Sequence, residues 1–173
     1  MSMTPRLPLS FAEPNDPIVE GQLDDVERKY GLTLPVDYKS FLIEVNGGRP
    51  DPSGFPIVGF ENNPFGNISA FFGVRARLES EDLELAVREA ATIAPAGIFP
   101  IAYTDCDDLV CIDLRRDARP IVFWDRRPSF AGSKWREKDL YPIADNFSAF
   151  LESLVELDDA GLPRNEGANF ESE

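Results

Sequence analysis

Asp105, Asp107 and Asp108 lie almost consecutively, interrupted only by Cys106. Carboxylates this close can ligate a hard divalent cation such as Mg²⁺ or Ca²⁺. A calcium loop of the helix-loop-helix type needs about twelve residues, with a glycine at its bend and a closing glutamate. Neither falls in register here. Aspartate also suits a tight hairpin turn, because its side chain bonds the backbone nearby. The residues alone leave two uses open: a polar turn, or an acidic projection that meets a basic protein surface as a phosphate would. No metal ion or other cofactor is expected.

The remaining chemistry-bearing residues are few. The chain has no histidine and two cysteines, Cys106 and Cys111. Absence of histidine excludes Ser-His-Asp and Cys-His nucleophile systems and histidine-based zinc sites. The C-x₄-C spacing differs from the usual C-x₂-C zinc pair, and no further ligand of that kind exists to complete a shell. Carboxylate or lysine catalysis stays chemically open, but the expectation is a non-enzymatic protein. The run Trp124-Asp125-Arg126-Arg127-Pro128-Ser129-Phe130 mixes aromatics, arginine and turn formers. That composition suits a binding hot spot, and equally a loop pinned by its own aromatics. Asp24 and Asp25 fall on the polar side of an expected helix, as a solvated face or as part of an interface. Protein-binding candidates are therefore Asp105, Asp107, Asp108, Trp124, Asp125, Arg126, Asp24 and Asp25.

Charge narrows the partners. Seventeen Lys and Arg face thirty-one Asp and Glu, a net charge of −14. Such a chain repels nucleic-acid phosphates and anionic membranes. It favours a basic protein partner through electrostatic steering, although plain solubility would also account for it. Met1 to Ser10 shows no apolar signal core, and no apolar run approaches the ~20 residues of a spanning helix. A cytoplasmic location is the default expectation.

The elements that must position these groups follow from periodicity. Met1 to Pro14 is proline-rich and reads as irregular. Asp16-Pro17 can open a helix whose stripe is Val19, Leu23, Val26 and Tyr30, with Gly31 as its stop. Pro35 can open a second helix with Tyr38, Phe41, Leu42 and Val45 on one face, closed by Asn46-Gly47-Gly48. Those glycines follow a helix and precede none, so they read as a cap and not as a phosphate cradle. Phe55–Phe60 and Ile68–Val74 read as strands. Ser80 can cap a third helix containing Leu83, Ala86, Val87 and Ala90. Strands follow at Ile98–Tyr103, Leu109–Leu114 and Pro120–Trp124, joined by tight polar turns as a meander, with a short one at Leu140–Ala144. Asp145 can cap a last helix with Phe147, Phe150, Leu151 and Leu154 buried, ending at Gly161-Leu162-Pro163. The pattern predicts one α+β domain, with a mostly antiparallel sheet of about five to six strands and about four helices.

Leu34-Pro35-Val36-Asp37-Tyr38-Lys39-Ser40-Phe41-Leu42, followed by Asn46-Gly47-Gly48, resembles the N-terminal signature of the SUKH superfamily. That group holds the Smi and Knr regulators of yeast and many bacterial immunity proteins. Phe99-Pro100-Ile101-Ala102 and Leu109-Val110-Cys111-Ile112-Asp113 resemble its central hairpin, Pro120 to Asp125 its next strand, and Ala144 to Leu151 its closing helix. The resemblance covers residues 13–157, between an irregular arm at 1–12 and an acidic tail at 158–173. Two features depart from it: the Asp105–Asp108 turn, where many relatives carry glycine, and the tail. The resemblance implies a binding role. The chain would neutralise a cognate toxin domain, basic and often a nuclease, by occluding its surface, or would act as an intracellular adaptor like the fungal members. It carries over no catalytic residues.

Overall fold

The first apolar stripe becomes α1, Glu20–Tyr30, in a computed structural model that describes residues 9–61 and 63–164. The helix starts later than Asp16-Pro17. The Gln22 side chain reaches back to accept the Val19 N–H at 2.9 Å, which satisfies a donor at the helix entry. Asp16 is engaged elsewhere, paired with Arg77 at 2.7 Å. Leu23 and Val26 are buried, but Val19, expected in the stripe, is exposed. Gly31 ends the helix at φ +64°, in the left-handed conformation its position calls for.

The second stripe is α2, Val36–Glu44, opened by Pro35. Glu27 of α1 accepts the Leu34 N–H at 2.8 Å and pairs with Lys39 at 3.3 Å, which fixes the two helices on each other. Ser10–Ala12, expected within an irregular arm, form strand β1, paired antiparallel with β2, Arg49–Asp51. Phe11 is thereby placed 5.3 Å from Phe41 and 6.0 Å from Phe71, so a short strand serves to insert one aromatic ring into the core. Residues 1–8 of that arm, and 165–173 of the acidic tail, lie outside the described residues.

Six antiparallel strands form the main sheet in chain order: β3 (Gly54–Pro56), β4 (Phe65–Phe71), β5 (Ile98–Thr104), β6 (Leu109–Asp113), β7 (Ile121–Trp124) and β8 (Leu140–Ala144). The fold is thus the α+β domain the pattern predicts. β3 is shorter than the Phe55–Phe60 run, because Pro56 and the left-handed Gly59 (φ +83°) turn the chain away. Two prolines inside strands sit beside bulges, Pro100 in β5 and Pro142 in β8. A proline cannot donate to the ladder, and a bulge absorbs the missing bond.

β6 and β7 are buried along their whole length, and β5 almost so. Their sequences therefore read as continuous apolar runs, without alternation. A third helix, α3 (Leu83–Ala91), packs on β5. Its cap is Asp82, whose side chain accepts the Leu85 N–H at 2.9 Å; Ser80 lies in a preceding 3₁₀ turn. A one-turn helix, α4 (Arg127–Phe130), follows β7. The last helix is α5 (Phe147–Ser153), capped by Asn146 and not by Asp145. It stops eight residues before Gly161, at Ser153. Asp37 of α2 accepts both the N–H and the hydroxyl of Ser148 at 2.9 Å, tying the starts of α2 and α5 together. Between them Tyr38, Phe41, Phe71, Phe99 and Phe147 form a ring cluster with centroids 5.1–6.3 Å apart.

Asn46 has a larger role than a cap. It is fully buried at φ +52°. Its amide donates to the carbonyls of Asp16 (2.7 Å) and Val74 (3.0 Å), and its side-chain oxygen accepts the Val74 N–H (2.8 Å). The Asn15 side chain donates to the Asn46 carbonyl at 3.0 Å and accepts the Arg77 N–H at 3.0 Å. Three chain segments are joined here. Gly47 and Gly73 make room for the junction: a Cβ on Gly47 would lie 2.8 Å from the Phe71 carbonyl, and one on Gly73 2.7 Å from that of Asn46.

Candidate functional site

The Asp105–Asp108 segment is the turn between β5 and β6, and it binds back on itself. The Thr104 hydroxyl accepts the N–H groups of Cys106 (3.3 Å) and Asp108 (3.2 Å), and Asp107 takes φ +61°. Asp105 and Asp107 are exposed, whereas Asp108 is only 3% exposed. One Asp108 oxygen accepts the Arg126 N–H at 2.8 Å. Its second oxygen has no hydrogen-bond partner among the described residues. Burial raises the Asp108 carboxyl above its usual range, against the lowering effect of the Arg126 N–H.

The turn and the end of β7 are locked together. Arg126 donates from Nε to the Asp107 carbonyl at 2.8 Å, and Nη2 donates to the same oxygen. Its guanidinium lies 5.1 Å from the Phe130 ring centre. Asp125 is buried and held from two nitrogens of the Arg127 side chain, each at 2.9 Å. The Arg127 hydrogen bond holds the Asp125 carboxyl below its usual range despite burial. Trp124 is buried, edge-on to Trp135 at 5.2 Å. The expected contact residues therefore separate. Trp124 and Asp125 are buried against Trp135 and Arg127, and Arg126 bonds the Asp107 carbonyl. Asp24 and Asp25 are exposed on α1, where Asp25 pairs with Arg28 at 3.0 Å. Asp105, Asp107 and Asp108 come together with Asp125 and Arg126; α1 packs on α2 instead.

Beside the turn lies a cleft of about 580 Å³. Its apolar lining comes from Ile57, Phe60, Phe65 and Phe123, and its acidic lining from Asp51, Asp105, Asp108, Glu156, Asp158 and Asp159. Arg127 is the one cation lining it among the described residues, and that charge is engaged by Asp125. The Cys106 thiol also lines the cleft. Burial and then the Asp105 charge raise it above the ordinary thiol value, which disfavours the thiolate.

One wall comes from a segment expected to be helix and tail. After α5 the chain runs extended, bridging Val155 to Gly54 and Leu157 to Pro163. Gly54 is needed there, because a Cβ would lie 2.7 Å from the Val155 carbonyl. Asp158 closes the turn, accepting the N–H groups of Ala160 (2.9 Å) and Leu162 (3.0 Å), and Arg164 pairs with Glu156 at 2.8 Å. The acidic tail thus begins as an ordered wall. Asp51, Glu156, Asp158 and Asp159 were absent from the sequence candidates. The signal that could have found them is Gly161-Leu162-Pro163, read as the return of a turn.

Along the cleft's outer side, Pro56, Ile57, Val58, Gly59, Phe60 and Phe65 form an open apolar shelf. Among the described residues no helix is long and apolar enough to cross a membrane.

Comparison with known proteins agrees with this architecture. The SPbeta prophage-derived uncharacterized protein YokK of Bacillus subtilis (strain 168) is 27% identical over 150 residues, covering 78% of this chain and 73% of its own. The SMI1 / KNR4 family (SUKH-1) matches over residues 17–153, from the approach to α1 through the end of α5. That match takes in the α1–α2 pair, Asn46 and the whole six-stranded sheet, and the chain belongs to the SMI1/KNR4 (SUKH-1) family.

Proposed function

We propose that this chain is an immunity-type binding protein of the cytoplasm, which neutralises a basic toxin domain by covering its working surface. The observation that carries this reading is the cleft, where acidic groups from three parts of the chain surround an apolar floor. A net charge of −14 accelerates encounter with a cationic surface, while the buried floor supplies the desolvated anchor that gives affinity. A nuclease domain is a fitting target, because a groove that holds phosphates also attracts carboxylates. The family supports the reading, since its bacterial members include toxin-immunity proteins.

Co-expression with the toxin-like gene nearest in the genome tests it. Restored growth together with a complex that co-purifies is the expected result. Continued killing with no complex, for every adjacent toxin-like gene, overturns it. Association should also slow steeply as salt rises through the physiological range.

A further inference from the structure

We infer that the cleft seats one cationic side chain, arginine or lysine, of a partner protein segment, while the adjoining shelf seats an apolar residue of that same segment. The inference deepens the proposed binding role and rests on it.

Cleft and shelf are one continuous surface, since Ile57, Phe60 and Phe65 belong to both. Within the cleft, Asp108 is nearly buried, with one oxygen on the Arg126 N–H and the other unpartnered among the described residues. Burial of the residue disfavours its charged form, and the free oxygen is the one that opens on the cleft, so a guest cation there would stabilise the carboxylate. Asp105 and Asp159 line the same cleft with no ion pair among the described residues. Arg127 shows that a guanidinium suits this floor: it lies 5.0 Å from the Phe60 ring centre. Its charge is shared with Asp125, which holds it at 2.9 Å, so it offsets the cleft's acidic groups only in part.

On the shelf, Val58 is 84% exposed at the tip of a turn made by Gly59. A valine presented this openly, on a shelf that shares Ile57, Phe60 and Phe65 with the acidic cleft, makes a two-part recognition surface. The acidic part alone would take any cation, and the apolar part alone any greasy residue. Together they select a segment carrying both within a few residues. Strand addition at the β8 edge is a poorer route, because Pro142 interrupts that edge.

The test is display selection of random octapeptides on the full chain, followed by fluorescence anisotropy with the most enriched peptide. Enriched peptides should share an arginine or lysine with an apolar residue close by. Replacing that cation by norleucine should abolish binding. Asp108→Asn keeps an acceptor for the Arg126 N–H, and should weaken the peptide about tenfold or more. Val58→Ser should weaken it about threefold with an unchanged melting temperature. If Asp108→Asn does not fold, the exposed pair Asp105→Asn with Asp159→Asn carries the charge arm. Failure to enrich any peptide, enrichment of peptides without a cation, or binding that these variants leave intact overturns the inference. Toxin rescue that survives both Asp108→Asn and Val58→Ser overturns it while leaving the immunity reading in place. Peptide capture without toxin rescue does the reverse.

Discussion

Replacing Asn46 by alanine should destabilise the fold by about 4 kcal/mol. The side chain makes three hydrogen bonds, two buried ones with Val74 at 3.0 and 2.8 Å and a partly buried one to the Asp16 carbonyl at 2.7 Å. Alanine leaves two carbonyls and one N–H without partners, at about 1 kcal/mol each. A left-handed alanine at φ +52° adds about 1 kcal/mol more. Asn46→Gly loses the same bonds but accepts the backbone angle, so it should be milder than alanine by about 1 kcal/mol. Urea unfolding followed by tryptophan fluorescence gives both numbers, provided the slope with denaturant stays constant. A loss below about 1 kcal/mol for Asn46→Ala would refute the junction, and equal losses for the two variants would refute the backbone part.

Three further outcomes follow from single features. Tyr38→Phe removes a fully buried hydroxyl that lacks a partner among the described residues, and should raise stability by up to about 1 kcal/mol in the same assay. Gly73→Ala should cost about 2 kcal/mol or more, since its Cβ would press on the Asn46 carbonyl; an unchanged melting temperature would contradict this. Asp113 is nearly fully buried, and hydrogen bonds from Arg115 outweigh burial to hold its carboxyl below the ordinary 3.8. Its contribution is therefore present above 3.8 and lost as pH falls through the lower folded value. Asp113→Asn should be less stable than the parent near pH 7, and urea titrations toward acid should show that gap closing.

The local elements were legible because their signals are local. Gly31 and Pro35 mark helix boundaries through backbone preference alone, and the Tyr38, Phe41, Leu42 spacing marks a buried face. Errors fell where another group, distant or neighbouring, takes the role a local signal suggested. Asp16 does not cap α1, because Arg77 takes its carboxylate and Asn46 takes its carbonyl. Ser80 yields to Asp82, and Asp145 to Asn146. For Trp124 and Asp125 composition left two uses open, a loop that binds a partner and one pinned by its own aromatics; the structure shows their contacts with Trp135 and Arg127.

The order of the elements other than β1, β2 and α4, the excess of acid, the lack of histidine chemistry and the family signature were all determined by the sequence itself. They depend on residue type and on spacings of a few positions. The cleft was decided only by the tertiary structure. Its walls come from residues 51–53, from Ile57, Phe60 and 65–67, from 104–106 with Asp108, and from 156–159, segments brought together by strand pairing and by the bridge from Val155 to Gly54. Closing such long loops leaves no periodicity in the chain. Which carboxylate is buried, Asp108 and not its neighbour Asp107, depends on what packs over the turn.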